Sequence, residues 1–494
     1  MTKNNPTPTP TPTPTFTSNV AVNSPKKPIN LQRGWPNASL LPAQAIQDAA
    51  NKVLTNPDLA NPGLLYGPDP GPSNMRESVA QWLREFYSEY YPPPNDKKEN
   101  IPWNRDNQGT ENSPEADRIC ITGGASQNLA CILQTYTDAS FTRVWMVTPG
   151  YFLAGRIFDD SGLRVAAVGE GDEGVDLDEL ERKMKIAEEE DTGVKPIKNP
   201  ESRSWAKIYK NVIYCVPTFS NPSGKTMSLS CRTKLVQLAR RYDALIITDD
   251  VYDFLQWSTD SSSPDGPLKK ALLPRLVDID RTLEPIPNLS SFGNAVSNGS
   301  FSKIAGPGVR TGWAEAAPKF ALGLSQVGSS RSGGCASQLT ATIVDQVLRS
   351  GELTRHIEEV LQPTYKKRYE RIMKAAEREL APLGVTVENT EDITVFGGYF
   401  IWLNLPIGID GELVPQVALQ EENLIVAKGS IFEVQGDDSV KLPRGLRLCF
   451  SWEEVEDLEE GVVRLGRVFK KLLEVGGRSS ADGQEIRAPL EELK

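Results

Sequence analysis

Short apolar runs alternate with amphipathic stretches through the middle of the chain. The amphipathic patterns after Ser126, after Ser228 and from Leu177 to Glu189 predict helices. The apolar runs are rich in β-branched residues, which is typical of strands buried on both faces; they are RICIT (118–122), RVWMVTP (143–149), NVIYCVP (211–217) and ALIITDD (244–250). This alternation predicts a mainly parallel sheet with crossover helices, at whose strand ends ligands gather.

From about Ala336 the pattern changes to long amphipathic helices. A helix pair is predicted over residues 337–351 and 352–384. Strand-like GGYFIWLNL (397–405) and GLRLCFS (445–451) follow, and a last helix is predicted from about Trp452 to Val475. This second pattern indicates a separate, smaller α/β domain.

Length and composition narrow the functional class. A chain of 494 residues exceeds one ordinary hydrophobic core, so two domains are expected. Hydrophobic residues make up 39% and charged residues 24%, as in globular proteins, and no apolar stretch is long enough to span a bilayer. The net charge of -11 argues against nucleic acid as a partner. Small-molecule chemistry is therefore favoured.

Cysteine and histidine content limits the available chemistry. The six cysteines form no CxxC pair, which indicates buried free thiols in a reducing compartment. The single histidine, His356, lies on a predicted charged helix and is expected at the surface. No metal site is expected, and any catalysis must use other side chains.

The chain begins with a Thr-Pro repeat that cannot build a core, so residues 1–28 are expected to form a disordered tail. The tail lacks the features of a signal peptide or a mitochondrial presequence, which favours a cytoplasmic location. Three polar stretches are predicted as long surface loops: Pro92 to Asp117, about Glu188 to Ser204, and Ser258 to Pro267.

One lysine stands in a setting that suits covalent chemistry. In SFSKIAGPGVR, Lys303 follows the hydroxyls of Ser300 and Ser302, and Arg310 comes seven residues later. A lysine that forms a Schiff base needs a lowered pKa, and a phosphate-bearing cofactor would use the hydroxyls and the arginine. Taken alone, the segment is more typical of a solvated loop.

Other polar residues follow the predicted strands. Asp249, at the end of ALIIT, could keep a pyridine nitrogen protonated, with Tyr252 bonding the ring oxygen; the alternative is a helix N-cap. Asn221 is presented by an Asn-Pro-Ser-Gly turn. The glycine-rich turn before Ser126 leaves amides free at a helix N-terminus, where phosphate binds well.

These motifs, in this order from about Ile29 to Val475, resemble the class I/II aminotransferases of pyridoxal phosphate (PLP) fold type I, with SFSKIAGPGVRTGW as the most specific match. The resemblance implies an α/β fold whose large domain holds a mainly parallel seven-stranded-type sheet between helices, plus a smaller α/β C-terminal domain. It implies these segments: 29–65 as an N-terminal arm joining the small domain, 66–335 as the large PLP-binding domain, 336–478 as the small domain, and 479–494 as a polar tail.

The resemblance also implies a role for each motif residue toward PLP. Lys303 would be the Schiff-base lysine and the catalytic residue. The others would bind the cofactor: Ser300, Arg310, Ala125 and Ser126 at the phosphate, Asp249 at the pyridine nitrogen, Asn221 and Tyr252 at the ring oxygen, Tyr151 stacked on the ring, and Tyr66 at the phosphate of the neighbouring subunit's cofactor. A homodimer with shared active sites is thereby implied.

Two further positions are implied to bind the substrate together with Asn221. Arg447 would form a bidentate pair with the substrate α-carboxylate, the alternative being a surface ion pair. Gly34 would lie in the N-terminal substrate loop, the alternative being an ordinary turn glycine. For Tyr151 the alternative is core packing.

The implied reaction is transfer of an amino group from an L-amino acid to a 2-oxo acid such as 2-oxoglutarate or pyruvate. The motifs GWP, SFSK and GGYFIWL look similar to the 2-aminoadipate, kynurenine and aromatic group. Asp-Asp-Val-Tyr and Asn-Pro-Ser-Gly depart mildly from the family's Asp-Glu-Val-Tyr and Asn-Pro-Thr-Gly. No motif is found for a second, dicarboxylate-selecting arginine. A C–S lyase or aminocyclopropane carboxylate synthase-like enzyme would share every cofactor residue, and a non-enzymatic regulator is a further alternative.

Overall fold

The computed structural model describes residues 26–90, 115–190, 193–199, 201–260, 266–284, 291–388 and 394–482. The predicted Thr-Pro and C-terminal polar tails lie largely outside these residues, as do most of the Pro92–Asp117 loop and the centre of the Ser258–Pro267 loop. No helix in the described ranges combines the length and the apolar character needed to cross a membrane.

The strands of the described residues are of two to eight residues. They are β1 (Ile29–Asn30), β2 (Ile119–Thr122), β3 (Arg143–Thr148), β4 (Arg164–Gly171), β5 (Gly174–Val175), β6 (Asn211–Cys215), β7 (Leu245–Asp249), β8 (Gln256–Ser258), β9 (Ala295–Ser300), β10 (Gly312–Glu315), β11 (Thr386–Val387), β12 (Val395–Gly397), β13 (Phe400–Asn404), β14 (Leu424–Ile425), β15 (Ala427–Lys428) and β16 (Gly445–Cys449).

The helices cover the sheets and link their strands. They are α1 (Ala43–Thr55), α2 (Pro57–Leu64), α3 (Ser73–Phe86), α4 (Ala125–Tyr136), α5 (Phe152–Asp160), α6 (Leu177–Glu189), α7 (Leu229–Arg241), α8 (Leu276–Thr282), α9 (Pro318–Ser325), α10 (Gly328–Arg331), α11 (Gln338–Arg349), α12 (Glu352–His356), α13 (Gln362–Glu379), α14 (Val414–Glu422) and α15 (Val455–Asp482). A π-helical turn, Ile357–Leu361, joins α12 to α13.

The large sheet has the order β2-β10-β9-β7-β6-β3-β4-β5. Strand β10 runs antiparallel to both of its neighbours, and the two-residue β5 runs antiparallel to β4. The other pairs are parallel, so their carboxyl ends meet at one edge. The predicted mainly parallel sheet of seven-stranded type is confirmed, with β5 as a short addition.

A smaller sheet, β11-β13-β16-β15, is antiparallel and is packed by α13, α14 and α15. The N-terminal segment joins this region because β1 pairs in parallel with β14. The large sheet draws its strands from residues 119–315 and the small sheet from residues 386–449. The domain boundaries given above stay a prediction.

The core forms where the apolar pattern predicts it. The four strands predicted from apolar runs are observed, and all residues of β2, β6 and β7 are buried. All six cysteines are buried free thiols. His356 differs from expectation: it is half buried at the end of α12, where its Nε2 lies 2.9 Å from the Leu40 carbonyl oxygen. A charged helix can still turn one residue toward a neighbouring segment.

Candidate active site

The glycine-rich turn between β2 and α4 forms one wall of a cradle. Gly124 is the N-cap residue of α4 and has φ of 99°, a conformation that favours glycine. The first amides of a helix have no partner within that helix, so Ala125 and Ser126 present N–H groups at the positive end of the helix dipole. We call the segment Gly123–Ser126 together with Ser300 and Arg310 the anion cradle.

The opposite wall comes from β9 and the turn after it. A Cβ atom added to Gly124 would lie 3.4 Å from Arg310 Nη2 and 3.6 Å from Ser300 Oγ, so a side chain there would fill the cradle. The exposed Arg310 donates to two backbone carbonyls, those of Gly123 at 3.0 Å and Pro307 at 3.0 Å. Its guanidinium forms no salt bridge within the described part of the chain, which suits an anion.

Lys303 lies at the end of a single 3₁₀ turn, Phe301–Lys303, that follows β9. Its Nζ donates to the Gly34 carbonyl oxygen at 3.0 Å. Burial lowers the pKa of this amine to about 8, assisted by the positive charge of Arg447 and opposed by Cys449 and Asp249. A lysine with this pKa holds a substantial neutral fraction near physiological pH, as nucleophilic and basic chemistry requires.

Asp249, the last residue of β7, is buried beside this amine. Tyr214 donates to its Oδ2 at 3.0 Å, whereas Oδ1 has no hydrogen-bond partner within the described part of the chain. Burial raises the pKa of Asp249 to about 7, although Tyr214 and the Lys303 charge act to lower it. A buried carboxylate with one unmet acceptor is suited to receive a charged N–H donor.

Two tyrosines line the same space. Tyr151, the N-cap residue of α5, lies close enough to Ser126 and Asp249 for both to act on the pKa of its phenol. Tyr252 is buried in the turn after β7, and its ring lies 5.8 Å from Lys303 Nζ. Burial holds the pKa of both phenols above the ordinary value, so both are neutral donors.

Arg447, in the middle of β16, is 3% exposed. Its Nη1 donates to Asn221 Oδ1 at 2.8 Å and its Nη2 donates to the Gln32 carbonyl, while Nε has no partner among the described residues. Burial lowers its pKa to about 10. The predicted alternative of a surface ion pair is therefore wrong: the guanidinium is desolvated and neutral oxygens contact it.

Gly34 lies between these groups. Its carbonyl accepts from Lys303, and a Cβ added to it would lie 2.7 Å from the ring of Phe400. The alternative of an ordinary turn glycine is thereby wrong, because the close approach to Phe400 requires the absence of a side chain. The same Phe400 ring lies 4.1 Å from the guanidinium carbon of Arg447.

The alternative for Asp249, a helix N-cap, is also wrong, since residues 250–255 form turns rather than a helix. Tyr66 lies away from the other predicted residues, with 87% of its surface exposed. An exposed tyrosine is compatible with the predicted contact to a second subunit. The structure brings the remaining predicted residues together at the carboxyl edge of the large sheet, and their roles stay predictions.

Sequence reasoning missed several residues of the site. Tyr214 was assigned only to a buried strand, and Gln32 contributes a backbone carbonyl, which leaves no signature in sequence. Phe400 and Phe432 lie within 4.1 Å and 4.8 Å of the Arg447 guanidinium. Tyr399 lies next to Lys303, with 5.3 Å between its ring and Nζ. Only the aromatic-rich GGYFIW pattern (397–402) could have drawn attention to Tyr399 and Phe400.

The residues present fit pyridoxal phosphate on grounds of the structure itself. The anion cradle offers amides, hydroxyls and a guanidinium, which suit a phosphate. The unpartnered Oδ1 of Asp249 suits a protonated ring nitrogen. Lys303, on the turn that follows β9, carries an amine whose pKa is lowered.

Comparisons with known proteins agree with this fit. The profile described as aminotransferase class I and II matches residues 37–465. An uncharacterized protein of Saccharomyces cerevisiae is 35% identical over 461 residues, which cover 90% of this chain and 97% of the yeast protein. Aromatic-amino-acid aminotransferase 1 of Thermococcus litoralis is 28% identical over 443 residues, covering 90% of this chain and 88% of that protein.

A solved structure gives the same picture in three dimensions. The kynurenine aminotransferase of Pyrococcus horikoshii, determined in complex with PMP and kynurenine, has a TM-score of 0.68 and 26% identity. The match covers 91% of this chain and 92% of that one.

Proposed function

We propose that this chain, which belongs to the class I and II aminotransferase family, is a PLP-dependent transaminase that moves an amino group from an aromatic L-amino acid, 2-aminoadipate or a similar substrate to 2-oxoglutarate or pyruvate. The observation that carries the proposal is the buried Asp249, whose Oδ1 has no hydrogen-bond partner among the described residues and whose charge interacts with the Lys303 amine. That pair matches a cofactor with a basic ring nitrogen and a reactive aldehyde.

The chain's own residues then have distinct tasks. Bound PLP supplies an electron sink for bond breaking at the substrate Cα atom. Lys303 Nζ anchors the cofactor and, once released, takes up and returns the Cα proton, which its pKa of about 8 permits near neutral pH. Asp249 holds a proton on the ring nitrogen, and the anion cradle holds the phosphate. No histidine is needed for this scheme.

Substrate binding falls to the Arg447 side of the site. Its guanidinium would receive the α-carboxylate in place of the Gln32 carbonyl, with Asn221 oriented alongside. The buried rings of Phe400 and Phe432 lie 4.1 Å and 4.8 Å from the guanidinium carbon and keep water from it. The choice of an aromatic substrate is supported by the relatives named above.

A direct assay tests the proposal. The purified protein is mixed with PLP and with a panel of aromatic amino acids, kynurenine and 2-aminoadipate, with 2-oxoglutarate or pyruvate as acceptor. Conversion of the bound cofactor to its pyridoxamine form, followed by absorbance, together with stoichiometric formation of the new amino acid, is the expected result. Absence of any Lys303-dependent cofactor absorbance contradicts the proposal.

The same assay separates the lyase alternative, which shares the cofactor residues. Release of ammonia and a 2-oxo acid from one amino acid without an acceptor would assign elimination chemistry instead. Lys303 is suited to both reactions. No contact among the described residues favours elimination over transamination, so the assay decides between them.

We further propose a cytoplasmic homodimer in which Tyr66 reaches the partner's cofactor phosphate. The neighbouring Leu64 and Leu65 are 63% and 67% exposed, so Tyr66 belongs to an apolar surface that a second subunit would cover. Sedimentation analysis is expected to give twice the chain mass. A Tyr66→Phe variant is expected to bind PLP several-fold less tightly without losing the dimer.

A further inference from the structure

Tyr399 touches Lys303 with both its ring and its hydroxyl. It is fully buried between β12 and β13, and its hydroxyl donates to the Lys303 carbonyl oxygen at 3.1 Å. Its ring lies 5.3 Å from Lys303 Nζ, closer than the ring of Tyr252 at 5.8 Å. Both distances fall within the range in which an aromatic face attracts an ammonium group.

A second tyrosine, Tyr365, forms a hydrogen bond with the Tyr399 hydroxyl. The hydroxyls of Tyr365 and Tyr399 lie 3.2 Å apart, and Tyr365 is also fully buried on α13. Each phenol has a single hydroxyl proton, and Tyr399 donates its proton to the Lys303 carbonyl oxygen. Tyr365 must therefore be the donor in the hydrogen bond to Tyr399. The chain of donors thus runs from α13 through Tyr399 to the lysine backbone.

The two glycines before Tyr399 allow this approach. A Cβ added to Gly397 would lie 2.3 Å from the Leu255 carbonyl oxygen, and one added to Gly398 would lie 2.9 Å from Phe219 Cβ. Gly398 also has φ of 75° and donates to the Leu255 carbonyl at 2.8 Å. The turn between β12 and β13 is therefore pressed against the segment that carries Tyr252, which brings Tyr399 to Lys303.

We propose that Tyr399 is a positioning residue for Lys303: its ring face stabilises the protonated amine, and its hydroxyl, held by Tyr365, fixes the lysine backbone. The inference rests on the role proposed for Lys303 above. It gives the small sheet a direct part in setting the proton affinity and orientation of the lysine.

Several charged or titratable groups act on the Lys303 amine besides Tyr399. They are Asp249 at the end of β7, Tyr252 in the following turn, and Arg447 and Cys449 on β16. Any test of the ring must therefore leave all of these groups in place, which an isosteric change at residue 399 does.

The ring is tested in the full-length chain freed of cofactor. Competitive labelling of lysines with acetic anhydride across a pH series, read by mass spectrometry of the Lys303 peptide, gives the midpoint of its titration. The wild-type midpoint is expected near 8. Tyr399→Phe, which keeps the ring, is expected to leave the midpoint in place.

Fluorination of that ring then removes its negative face without changing its shape. Placing 3,4,5-trifluorophenylalanine at position 399 is expected to lower the midpoint by about 0.5 to 1 pH unit relative to Tyr399→Phe. Lys319, whose Nζ lies 4.4 Å from the ring of Phe292, is the internal reference and is expected not to move. Equal midpoints for the two residue-399 variants would overturn the role of the ring.

The hydroxyl is tested by backbone hydrogen exchange of the peptide that contains Phe301 to Arg310. Tyr399→Phe and Tyr365→Phe are both expected to speed exchange in this segment and, in the PLP-loaded protein, to lower kcat several-fold with little change in KM. Tyr369→Phe, on the same helix but stacked on Phe396, is the matched control and is expected to do neither. Unchanged exchange in both variants refutes the role of the hydroxyl.

Because labelling and exchange are read without cofactor, they are independent of the transaminase assay. A protein that fails to transaminate but shows the ring-dependent midpoint would contradict the proposed function and retain the inference. A protein that transaminates but whose Lys303 midpoint does not depend on the ring would support the proposed function and contradict the inference.

Discussion

The anion cradle and the opposite side of the site, where Asp249, Lys303 and Arg447 meet, are built from different material. The cradle consists of backbone amides, two serine hydroxyls and the exposed Arg310, whose partners are carbonyl oxygens. The opposite side, which we call the buried triad, holds three ionisable groups whose pKa values are shifted mainly by burial. The cradle is partly exposed, so binding an anion there costs little desolvation free energy. The buried triad destabilises the folded protein until a ligand supplies partners for its charges and hydrogen-bonding atoms.

The largest expected effect comes from the reacting member of the buried triad. Lys303→Ala removes both the anchor and the base, so kcat for transamination is expected to fall by about 10⁴-fold or more. Stopped-flow or steady-state assays with an aromatic amino acid measure it. Lys319→Ala, away from the site, is the control and should keep wild-type kcat. A Lys303→Ala protein that kept one tenth of the wild-type rate would show that Lys303 is not the reacting residue of the buried triad.

Asp249→Asn tests whether burial strains the triad when no ligand is present. In the folded chain the pKa of Asp249 is about 7, against an ordinary value of 3.8, so folding increasingly disfavours the ionised form as pH rises from about 4 to 7. The cofactor-free variant is therefore expected to exceed the wild type in free energy of unfolding by on the order of 4 kcal/mol at pH 8, and by almost nothing at pH 4.

Denaturant unfolding at the two pH values measures this difference, and Asp160→Asn on the surface of α5 is the matched control. The same Asp249→Asn change should lower kcat strongly once PLP is added, because the ring nitrogen loses its partner. A variant that is less stable than the wild type at pH 8 would show that Asp249 is not strained by burial.

Arg447→Lys keeps a positive charge but loses the planar pair of donors. We expect kcat/KM for amino acids to fall by about 30- to 100-fold, mostly through KM, since a bidentate carboxylate contact is lost. Initial-rate kinetics over a wide substrate range check this. Arg444→Lys, three residues earlier and exposed, should have no such effect.

The smallest effect is expected in the cradle. Arg310→Ala should weaken PLP binding by about 10-fold, because the guanidinium is exposed and amides of α4 remain to hold the phosphate. Fluorescence titration of the cofactor-free protein with PLP measures it, and saturating PLP should restore most activity. The affinity for pyridoxal, which has no phosphate, should not change. An equal loss of affinity for both ligands would show that Arg310 does not bind the phosphate.

The difference between the anion cradle and the buried triad also explains how much of the site could be predicted from the sequence. Each half of the cradle is local, since Gly123–Ser126 form one turn and Ser300 and Arg310 lie within one short segment. The strand end carrying Asp249 is visible as a change from apolar to acidic residues. The predicted strands follow from periodicity, and so do the helices α4, α6, α7, α11, α12, α13 and α15. Strands β9 and β10 were not predicted, because AVSNGS and GWAE are rich in small or polar residues and are buried by their central place in the sheet.

Contacts between distant segments could not be predicted. Tyr214 reaches Asp249 because β6 and β7 are paired in register, and Tyr399 reaches Lys303 across 96 residues of sequence. The carbonyls of Gln32 and Gly34 contact Arg447 and Lys303 through main-chain atoms that every residue possesses. Such contacts depend on the assembled fold rather than on any residue type.

The lone histidine offers an unlabelled spectroscopic probe. Because the chain contains one histidine, the imidazole C–H signals in a proton NMR spectrum report solely on the contact between His356 and Leu40. Leu40 ends the short turn that follows the segment carrying Gly34. Burial lowers the pKa of His356, so its ring is neutral near pH 7 and its shift would change when that turn leaves α12. Movements of the N-terminal segment during turnover can thus be followed in the native chain.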